Sequence, residues 1–263
     1  MENTKNTISI LSCGWLGEPL AEYLLSLGYS VKGATTSSDK LQRLSDKGIE
    51  AYQLRFEDLN DEMREFLNSE ILFMNLTIKD IELYKQFLPL LEQSPIKKLI
   101  LISSTVVYKN SEKPVDENSD LNESPWVAIE CLLKDNKNFQ TTVLRFSGLF
   151  GGNRKPGNFL SGKKVKNAEA PVNLIHLDDC VQIINEVIKQ NAWGQCFNCC
   201  ADTHPSKKEF YTKAADVIGV DRPIFDEEVG GNSSFKLITN DKLKRSLNYE
   251  FIYPDLMDCL RFK

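Results

Sequence analysis

Short apolar runs alternate with amphipathic stretches along the first part of the chain. Runs that are apolar or rich in β-branched residues predict strands at 8–11, 29–34, 50–54, 71–76, 99–102 and 141–146. Apolar positions that recur at helical spacing predict helices at 16–27, 39–47, 61–67, 81–91 and 129–133. Strands that alternate with helices in this way predict an α/β fold of the Rossmann type, with a doubly wound parallel sheet.

The pattern becomes less regular after residue 146, where glycine and proline mark a loop-rich segment. A helix is predicted at 178–189, with the Asp178-Asp179 pair suited to its N-cap. A strand at 195–199 and a helix at 207–218 follow. With no internal repeat or low-complexity linker, the chain is predicted to be a single domain, 1–263. Its small C-terminal lobe would carry substrate-side segments at roughly 147–175 and 200–263.

Composition narrows the partners and the compartment. The net charge of −5 comes from 32 basic and 37 acidic residues that are interspersed, so neither nucleic acid nor an anionic membrane surface is expected as a partner. No apolar stretch has the roughly 20 residues of a membrane helix, and the polar N-terminus lacks the apolar core of a signal peptide. Seven cysteines are an odd number for a disulfide framework, so reduced thiols and a cytoplasmic location are expected.

A glycine-containing turn joins the first predicted strand to the first predicted helix: Ser12-Cys13-Gly14-Trp15-Leu16-Gly17. In the dinucleotide-binding pattern G-x-G-x-x-G, Ser12 takes the first glycine position, and Gly14 and Gly17 take the others. The second glycine lets the backbone approach a pyrophosphate, and the third lets helix and strand pack closely. The helix N-terminus adds N–H groups that attract phosphate. The turn therefore predicts a dinucleotide site; the alternative is a plain tight turn.

The end of the second predicted strand bears on the choice of cofactor. An acidic residue about 20 residues after the glycine turn would bind the ribose 2′-hydroxyl of NAD. No carboxylate precedes Asp39 here, and Lys40 and Arg43 follow it. The residues at this place carry hydroxyls: Thr35-Thr36-Ser37-Ser38. Hydroxyls and cations favour a 2′-phosphate, which predicts NADP, with NAD as the alternative. An ordinary polar loop that caps the next helix is the other interpretation.

Three later motifs resemble those of the extended short-chain dehydrogenase/reductase superfamily, in its branch of NAD-dependent epimerases and dehydratases. Residues 103–108 resemble the family's S-S-x-x-V-Y run, residues 144–151 its L-R-x-x-G-x-x-G run, and residues 173–179 its N-x-I-H-x-D-D run. With the glycine turn they cover about residues 8 to 200 in the family's order. The turn and the short C-terminal lobe are most similar to an atypical bacterial subgroup, the YeeZ-like proteins, which are described as nucleoside-diphosphate-sugar epimerase-like.

The resemblance implies roles for the matching positions. Residues 13–17 would cradle the pyrophosphate, 76–77 would lie along the adenosine, and 147–149 would border the nicotinamide and the substrate. Ser104 matches the family's catalytic Ser/Thr; a polar strand end near the cofactor is the alternative. The full set expected to contact the cofactor is Ser12, Cys13, Gly14, Trp15, Leu16, Gly17, Thr35, Thr36, Ser37, Leu76, Thr77, Ser103, Ser147, Gly148 and Leu149.

The chain departs from the family at its general acid/base pair, Y-x-x-x-K. In the register set by Ser124 and Pro125, Trp126 replaces the tyrosine and Glu130 replaces the lysine. An indole N–H does not titrate usefully, and a carboxylate would repel a phenolate rather than stabilise it. The usual reaction of the family therefore lacks its proton donor here.

Other candidate residues each carry a plainer interpretation. His176 would border the substrate pocket, or it is a buried histidine that ties a loop to the next helix. Arg154, with Lys155 and Lys163, would clamp a phosphate of the substrate or cofactor, or it belongs to a solvated basic loop. A zinc site is not expected, because the spacing of the candidate ligands is not that of a standard finger: Cys196, Cys199, Cys200 and His204.

Two functions fit these features. The first is an NAD(P)-binding, epimerase/dehydratase-like oxidoreductase with an atypical active site, acting on a nucleotide sugar or another small carbonyl or hydroxyl compound. The second is a non-catalytic NADP(H)-binding regulatory module that resembles the NmrA-like regulators. The lost Tyr and Lys favour the second, and the ordered substrate-side motifs favour the first. The sequence leaves the oligomeric state open.

Overall fold

The structure is a computed structural model that describes residues 7–226 and 235–260. Part of the predicted substrate-side segment 200–263 therefore lies outside the described residues. Eleven strands lie within them: β1 (Thr7–Leu11), β2 (Ser30–Thr35), β3 (Glu50–Gln53), β4 (Ile71–Met74), β5 (Lys98–Ser104), β6 (Gln140–Phe146), β7 (Gly148–Phe150), β8 (Lys164–Val165), β9 (Leu174–His176), β10 (Cys196–Cys199) and β11 (Ile224–Phe225).

In the described residues, seven of these strands form one parallel sheet in the order β10-β6-β5-β4-β1-β2-β3. β1 pairs with β2 on one side and with β4 on the other, so the strand order reverses between β1 and β4. In open α/β sheets, ligands bind beyond the carboxyl ends of the strands at such a reversal. The predicted doubly wound sheet of the Rossmann type is confirmed.

Helices follow most of the strands, as the apolar periodicity predicts. Within the described residues they are α1 (Gly17–Ser26), α2 (Ser38–Asp46), α3 (Asp61–Phe66), α4 (Ile81–Gln93), α5 (Pro125–Lys134), α6 (Leu177–Lys189), α7 (Lys207–Ile218), α8 (Asp241–Leu247) and α9 (Leu256–Cys259). α1 ends before Gly28, whose positive φ of 86° suits a glycine after a helix. α5 begins after Ser124, whose hydroxyl accepts the Val127 N–H, with Pro125 in its first turn.

The chain divides into two compact units. The first comprises the residues up to Ser103, Glu123–Leu144 and Ile184–Cys196, and the second comprises Ser104–Asn122, Arg145–Ile183 and the residues from Phe197 onward. Each has its own apolar cluster: Phe66, Phe87 and Leu99 belong to that of the first unit, and Phe150, Phe210 and Leu256 to that of the second. That the chain folds as a single domain stays a prediction.

The start of α6 differs from the prediction. The expected N-cap, Asp178-Asp179, lies within the first turn of the helix, and the His176 Nδ1 atom accepts the backbone N–H of Asp178 at 3.2 Å. Asp179 is fully buried, and its carboxylate accepts the Tyr249 hydroxyl and the backbone N–H of Ile252, each at 2.7 Å. Burial raises the pKa of Asp179. This carboxylate thus fixes a C-terminal segment instead of capping a helix.

The periodicity missed several short elements of the second unit. Three strands interrupt the expected loop-rich segment, and β7 pairs in parallel with β9. β11, α8 and α9 were not predicted either. Elements this short carry too few periodic positions to be recognised. None of the helices in the described residues could span a lipid bilayer.

Candidate functional site

The glycine turn closes the gap between β1 and α1. The Cys13 N–H donates to the Ala34 carbonyl at 2.7 Å, which ties the turn to β2. A Cβ atom on Gly17 would lie 2.1 Å from the Ser12 carbonyl oxygen, so only glycine allows this approach. A Cβ atom on Gly14 would meet nothing nearer than the Ser12 hydroxyl, at 3.7 Å. The two glycines therefore have different roles: Gly17 allows α1 to pack closely against the turn, and Gly14 leaves open space beside it.

Ser12 adopts a conformation that normally belongs to glycine. Its φ is +116°, which side chains with a Cβ rarely adopt. The residue is half-buried, and its N–H donates to the Ile10 carbonyl at 3.1 Å. The first position of the G-x-G-x-x-G pattern thus keeps a glycine-like backbone here although it carries a serine.

A cavity of about 350 Å³ lies beyond the carboxyl ends of four neighbouring strands. Its walls come from the glycine turn and from the segments that follow β2, β3 and β4. They are formed by Leu11, Ser12, Cys13, Gly14, Ala34, Thr35, Thr36, Lys40, Leu54, Arg55, Phe56, Glu57, Asn75, Leu76, Thr77 and Ile78. All of these residues belong to the first unit.

The cavity gathers part of the predicted cofactor set. Seven of the predicted residues line it: Ser12, Cys13, Gly14, Thr35, Thr36, Leu76 and Thr77. Five others of the first unit lie in the turn or at strand ends without lining it: Trp15, Leu16, Gly17, Ser37 and Ser103. Burial raises the pKa of the Cys13 thiol to about 12, so the turn brings no thiolate to the cavity at neutral pH.

The parts of the cavity wall that follow β2 and β3, where the sequence predicts the ribose end of the cofactor, are rich in hydroxyls and cations. Thr35 and Thr36 line the cavity there together with Lys40 and Arg55. Arg55 follows β3 and was not predicted from the sequence as a lining residue. Arg43, the other cation expected here, instead pairs with the Glu18 carboxylate. No local sequence pattern indicates that Arg55 lines the cavity, because its position depends on how β3 pairs with β2.

The end of β5 meets α5 through a buried pair. The Ser103 hydroxyl donates to the Glu130 Oε1 atom at 2.5 Å, and both residues are buried, Glu130 to 2% exposure. Trp126 lies one turn earlier on α5 and packs against the apolar cluster that includes Leu76 and Ile78 at its edge. The two residues that replace the family's Tyr and Lys thus occupy one face of α5, at positions i and i+4.

Ser104 begins the second unit, at the start of a short 3₁₀ turn. It is half-buried, and its hydroxyl accepts the Val106 N–H at 3.3 Å. The Lys236 ammonium donates to three carbonyls of this turn, those of Thr105 at 3.3 Å, Val106 at 3.4 Å and Tyr108 at 2.5 Å. Burial lowers the pKa of Lys236. Sequence reasoning missed Lys236, because it lies more than a hundred residues from the turn it holds.

The second unit also brings β7 and β9 side by side. Gly148 donates its N–H to the Asn173 carbonyl at 3.0 Å, and Leu149 pairs with Ile175. Asn173 in turn donates to the Lys236 carbonyl at 2.8 Å, which links this pair of strands to the segment that carries Lys236. Ser147 is buried, and its hydroxyl lies within hydrogen-bonding reach of the Cys200 thiol.

The His176 ring packs between two aromatic side chains. It packs edge-on against Phe150 and lies 4.0 Å from the Tyr253 ring, centroid to centroid. Burial lowers the pKa of His176. A Cβ atom on Gly151 would lie 2.5 Å from its Nε2 atom, and Gly151 forms a tight bridge with exposed Arg154. The structure thus places His176 and Arg154 near one glycine, with the ring half-buried and Arg154 exposed.

The cysteine and histidine residues of the zinc alternative have other contacts. The Cys199 and Cys200 thiols donate to backbone carbonyls of Phe197 and Leu174, each at 3.6 Å. The His204 ring lies 3.2 Å from the Val172 carbonyl through Nδ1. In the described residues, no group of three or more His, Cys, Asp or Glu side chains is arranged to hold a metal ion.

A parallel doubly wound sheet with a glycine turn after its first strand and a cavity at the strand-order reversal is the architecture of Rossmann-type α/β proteins. The chain is 30% identical to Protein YeeZ of Escherichia coli strain K12 over 265 aligned residues, which cover 94% of this chain and 96% of that protein. The chain belongs to the YeeZ family.

No model of a known protein family matches the chain. A conserved protein from Silicibacter pomeroyi shares the fold with a TM-score of 0.80 and 19% identity, over 98% of this chain and 97% of that one. UDP-glucose-4-epimerase from Stenotrophomonas maltophila, solved with NAD and formylated UDP-arabinopyranose, does so with a TM-score of 0.79 and 15% identity, over 98% and 96% of the two chains. At these identities the likeness is one of fold.

Replacing Ser12 by glycine tests the strain in the turn. We expect Ser12→Gly to stabilise the protein by about 1 kcal/mol, because the backbone strain that it relieves exceeds the entropy that glycine adds to the unfolded chain. Chemical denaturation measures the change. Ser12→Ala is the matched control: it removes the hydroxyl but keeps the Cβ and the strain, so no gain is expected. Equal stability of the two variants would contradict the prediction.

Proposed function

We propose that this protein binds a nicotinamide dinucleotide, NADP in preference to NAD, and acts as an epimerase/dehydratase-like oxidoreductase with an atypical active site. Its substrate would be a nucleotide sugar or another small carbonyl or hydroxyl compound. The observation that carries the proposal is the cavity beyond β1, β2, β3 and β4, with the glycine turn in its wall. The bound nucleotide sugar of the Stenotrophomonas epimerase supports the substrate class.

The shape of the turn fits a pyrophosphate. The open space over Gly14 admits a group that any side chain would exclude, and the N-terminus of α1 offers N–H groups beside it. Leu76 and Thr77 would contact the adenosine half, and Ser103 would face the nicotinamide. In the second unit, residues 147–149 would border the nicotinamide. Such a cofactor, when bound, supplies a hydride acceptor or donor.

The ribose end of the cavity favours the 2′-phosphate of NADP. Thr36 is exposed there, and Lys40 and Arg55 add two cations. Glu57 also lines the cavity, so the preference depends on the cations lying nearer to the ribose. A guanidinium is well suited to bind a phosphate through two hydrogen bonds.

On the substrate side, Ser104 would hydrogen-bond the reacting oxygen, and Lys236 would keep the turn of Ser104 in place. His176 would border the substrate, and Arg154 would reach its phosphate from the exposed hairpin. The seven cysteines form no disulfide, which agrees with the cytoplasmic location we propose.

A regulatory, non-catalytic role is the second candidate. It is favoured by Trp126 and Glu130, because neither can relay a proton as the family's Tyr and Lys do. In this role the protein would bind the cofactor, and cofactor binding would control its interaction with a partner.

Dinucleotide binding is the first test. Calorimetry should detect NADP(H) with micromolar or tighter affinity, and Gly14→Asp should abolish binding, because the carboxylate would fill the open space and repel the pyrophosphate. Gly14→Ala serves as the control, since its methyl group is uncharged, and it should weaken binding less. If the unaltered protein binds neither NADP(H) nor NAD(H), the proposal fails.

The cofactor preference has its own variant. We expect Thr36→Asp to reduce or reverse the preference for NADP, because the carboxylate would repel a 2′-phosphate and accept a ribose hydroxyl. Affinities for both dinucleotides, measured before and after the change, give the ratio. Thr36→Asn has nearly the same shape without the charge and should shift the ratio less. A stronger affinity of the unaltered protein for NAD would show that the assignment is wrong.

Catalysis separates the two candidate functions. We expect slow or undetectable turnover of common nucleotide sugars, because general acid–base assistance normally contributes ~10² to 10⁴ in rate. The double change Trp126→Tyr with Glu130→Lys restores the family's pair and should raise hydride transfer, followed by nicotinamide absorbance. Brisk turnover by the unaltered protein that survives Ser104→Ala would place the active site elsewhere.

A further inference from the structure

Two side chains on α5 have chemistry that suits a positive charge. Glu130 carries a carboxylate that is 2% exposed, and Trp126, one turn earlier on the same face, offers an aromatic ring. Water screens a buried carboxylate only weakly. The face of an indole attracts cations, and the Lys79 ammonium already lies 6.0 Å from the centroid of this ring.

The sheet fixes which part of a dinucleotide would reach this face. The pyrophosphate position is the glycine turn after β1, and the cavity extends from there across β2 to Arg55 and Phe56 after β3. Neighbouring strands are about 4.8 Å apart, so a dinucleotide with its adenosine over β2 and β3 must extend its other half over β4 and β5.

The ends of these two strands lie beside α5. Met74, the last residue of β4, pairs with Leu101 of β5; two residues further along the chain are Leu76, just beyond β4, and Ser103, near the end of β5. Ser103 donates to Glu130, and Trp126 and Leu76 both pack against the same apolar cluster. The nicotinamide half would therefore come close to both side chains of α5.

The two redox forms of nicotinamide differ by one charge at the ring. The oxidised ring is a pyridinium cation, and the reduced ring is neutral. A buried carboxylate and an aromatic face stabilise the cation and do little for the neutral ring. Lys79 opposes this preference weakly, because its ammonium is exposed and screened by water.

We propose that Trp126 and Glu130 make this site selective for the oxidised form of the dinucleotide, so that occupancy follows the redox state of the cofactor pool. The inference rests on the proposed dinucleotide binding and deepens it. The inference also assigns a role to Trp126 and Glu130, which cannot act as a proton relay. A lysine at position 130, by contrast, would repel the pyridinium ring.

Calorimetry with NADP⁺ and with NADPH, at the same ionic strength, tests the proposal. The unaltered protein should bind NADP⁺ at least about tenfold more tightly than NADPH. Glu130→Gln keeps an oxygen that can accept the Ser103 hydroxyl and removes the charge, so the ratio should fall toward one. Glu130→Lys should reverse it. Trp126→Leu should lower the ratio by a smaller factor, since it removes only the aromatic face.

Glu57→Gln is the matched control. It removes one carboxylate from the cavity wall that follows β3, so it should change the affinity for both forms by the same factor and leave their ratio unchanged. Circular dichroism of each variant shows whether it is folded. The ratio of the two affinities in the unaltered protein tests the selectivity even if a variant does not fold.

The outcomes separate the two proposals. If the unaltered protein binds no dinucleotide of either form, the proposed function itself fails. If it binds NADPH as tightly as NADP⁺, or if folded Glu130→Gln keeps the ratio of the unaltered protein, the selectivity is wrong while dinucleotide binding stands. A ratio that Glu57→Gln lowers as much as Glu130→Gln would assign the effect to overall charge and overturn the role of α5.

Discussion

The close approach of α1 to the carbonyl oxygen of Ser12 is the contact on which the candidate site depends. Because Gly17 has no side chain, the helix can begin directly after the turn that follows β1, and the Glu18 N–H donates to the Gly14 carbonyl at 3.0 Å. Any Cβ at position 17 would push the helix away from the strand. The hydrogen bond from Cys13 to Ala34 holds the other side of the turn, so the cavity wall is built from backbone.

Local patterns were sufficient to predict the sheet and the turn. The strands β1, β4 and β5 are short apolar runs, and the helices α1 and α4 repeat their apolar residues with helical spacing, so both signals are contained in a few neighbouring positions. The same holds for the glycine turn, because the spacing of its glycines indicates where the backbone makes a tight turn and a close approach. The sequence therefore predicted the Rossmann-type sheet and placed seven of the residues that line the cavity.

The remaining features depend on contacts between distant residues. Arg55 lines the cavity only because β3 lies beside β2, and Lys236 reaches the turn of Ser104 across 128 to 131 positions of the chain. The pair of Ser103 and Glu130 joins a strand to a helix in the same way. The strain at Ser12 was also invisible, since a serine gives no sign of a positive φ. His176 carried a motif, but its packing against Phe150 could not be inferred.

The distribution of tryptophan between the two units has a spectroscopic consequence. The chain has three tryptophans, at positions 15, 126 and 193, and all of them lie in the first unit. Trp193 is buried with the Lys98 ammonium 5.4 Å from its ring, whereas Trp15 and Trp126 are half-buried. Intrinsic tryptophan emission therefore reports on the unit that contains the cavity, and the melting of the second unit has to be followed by another optical signal, such as tyrosine absorbance.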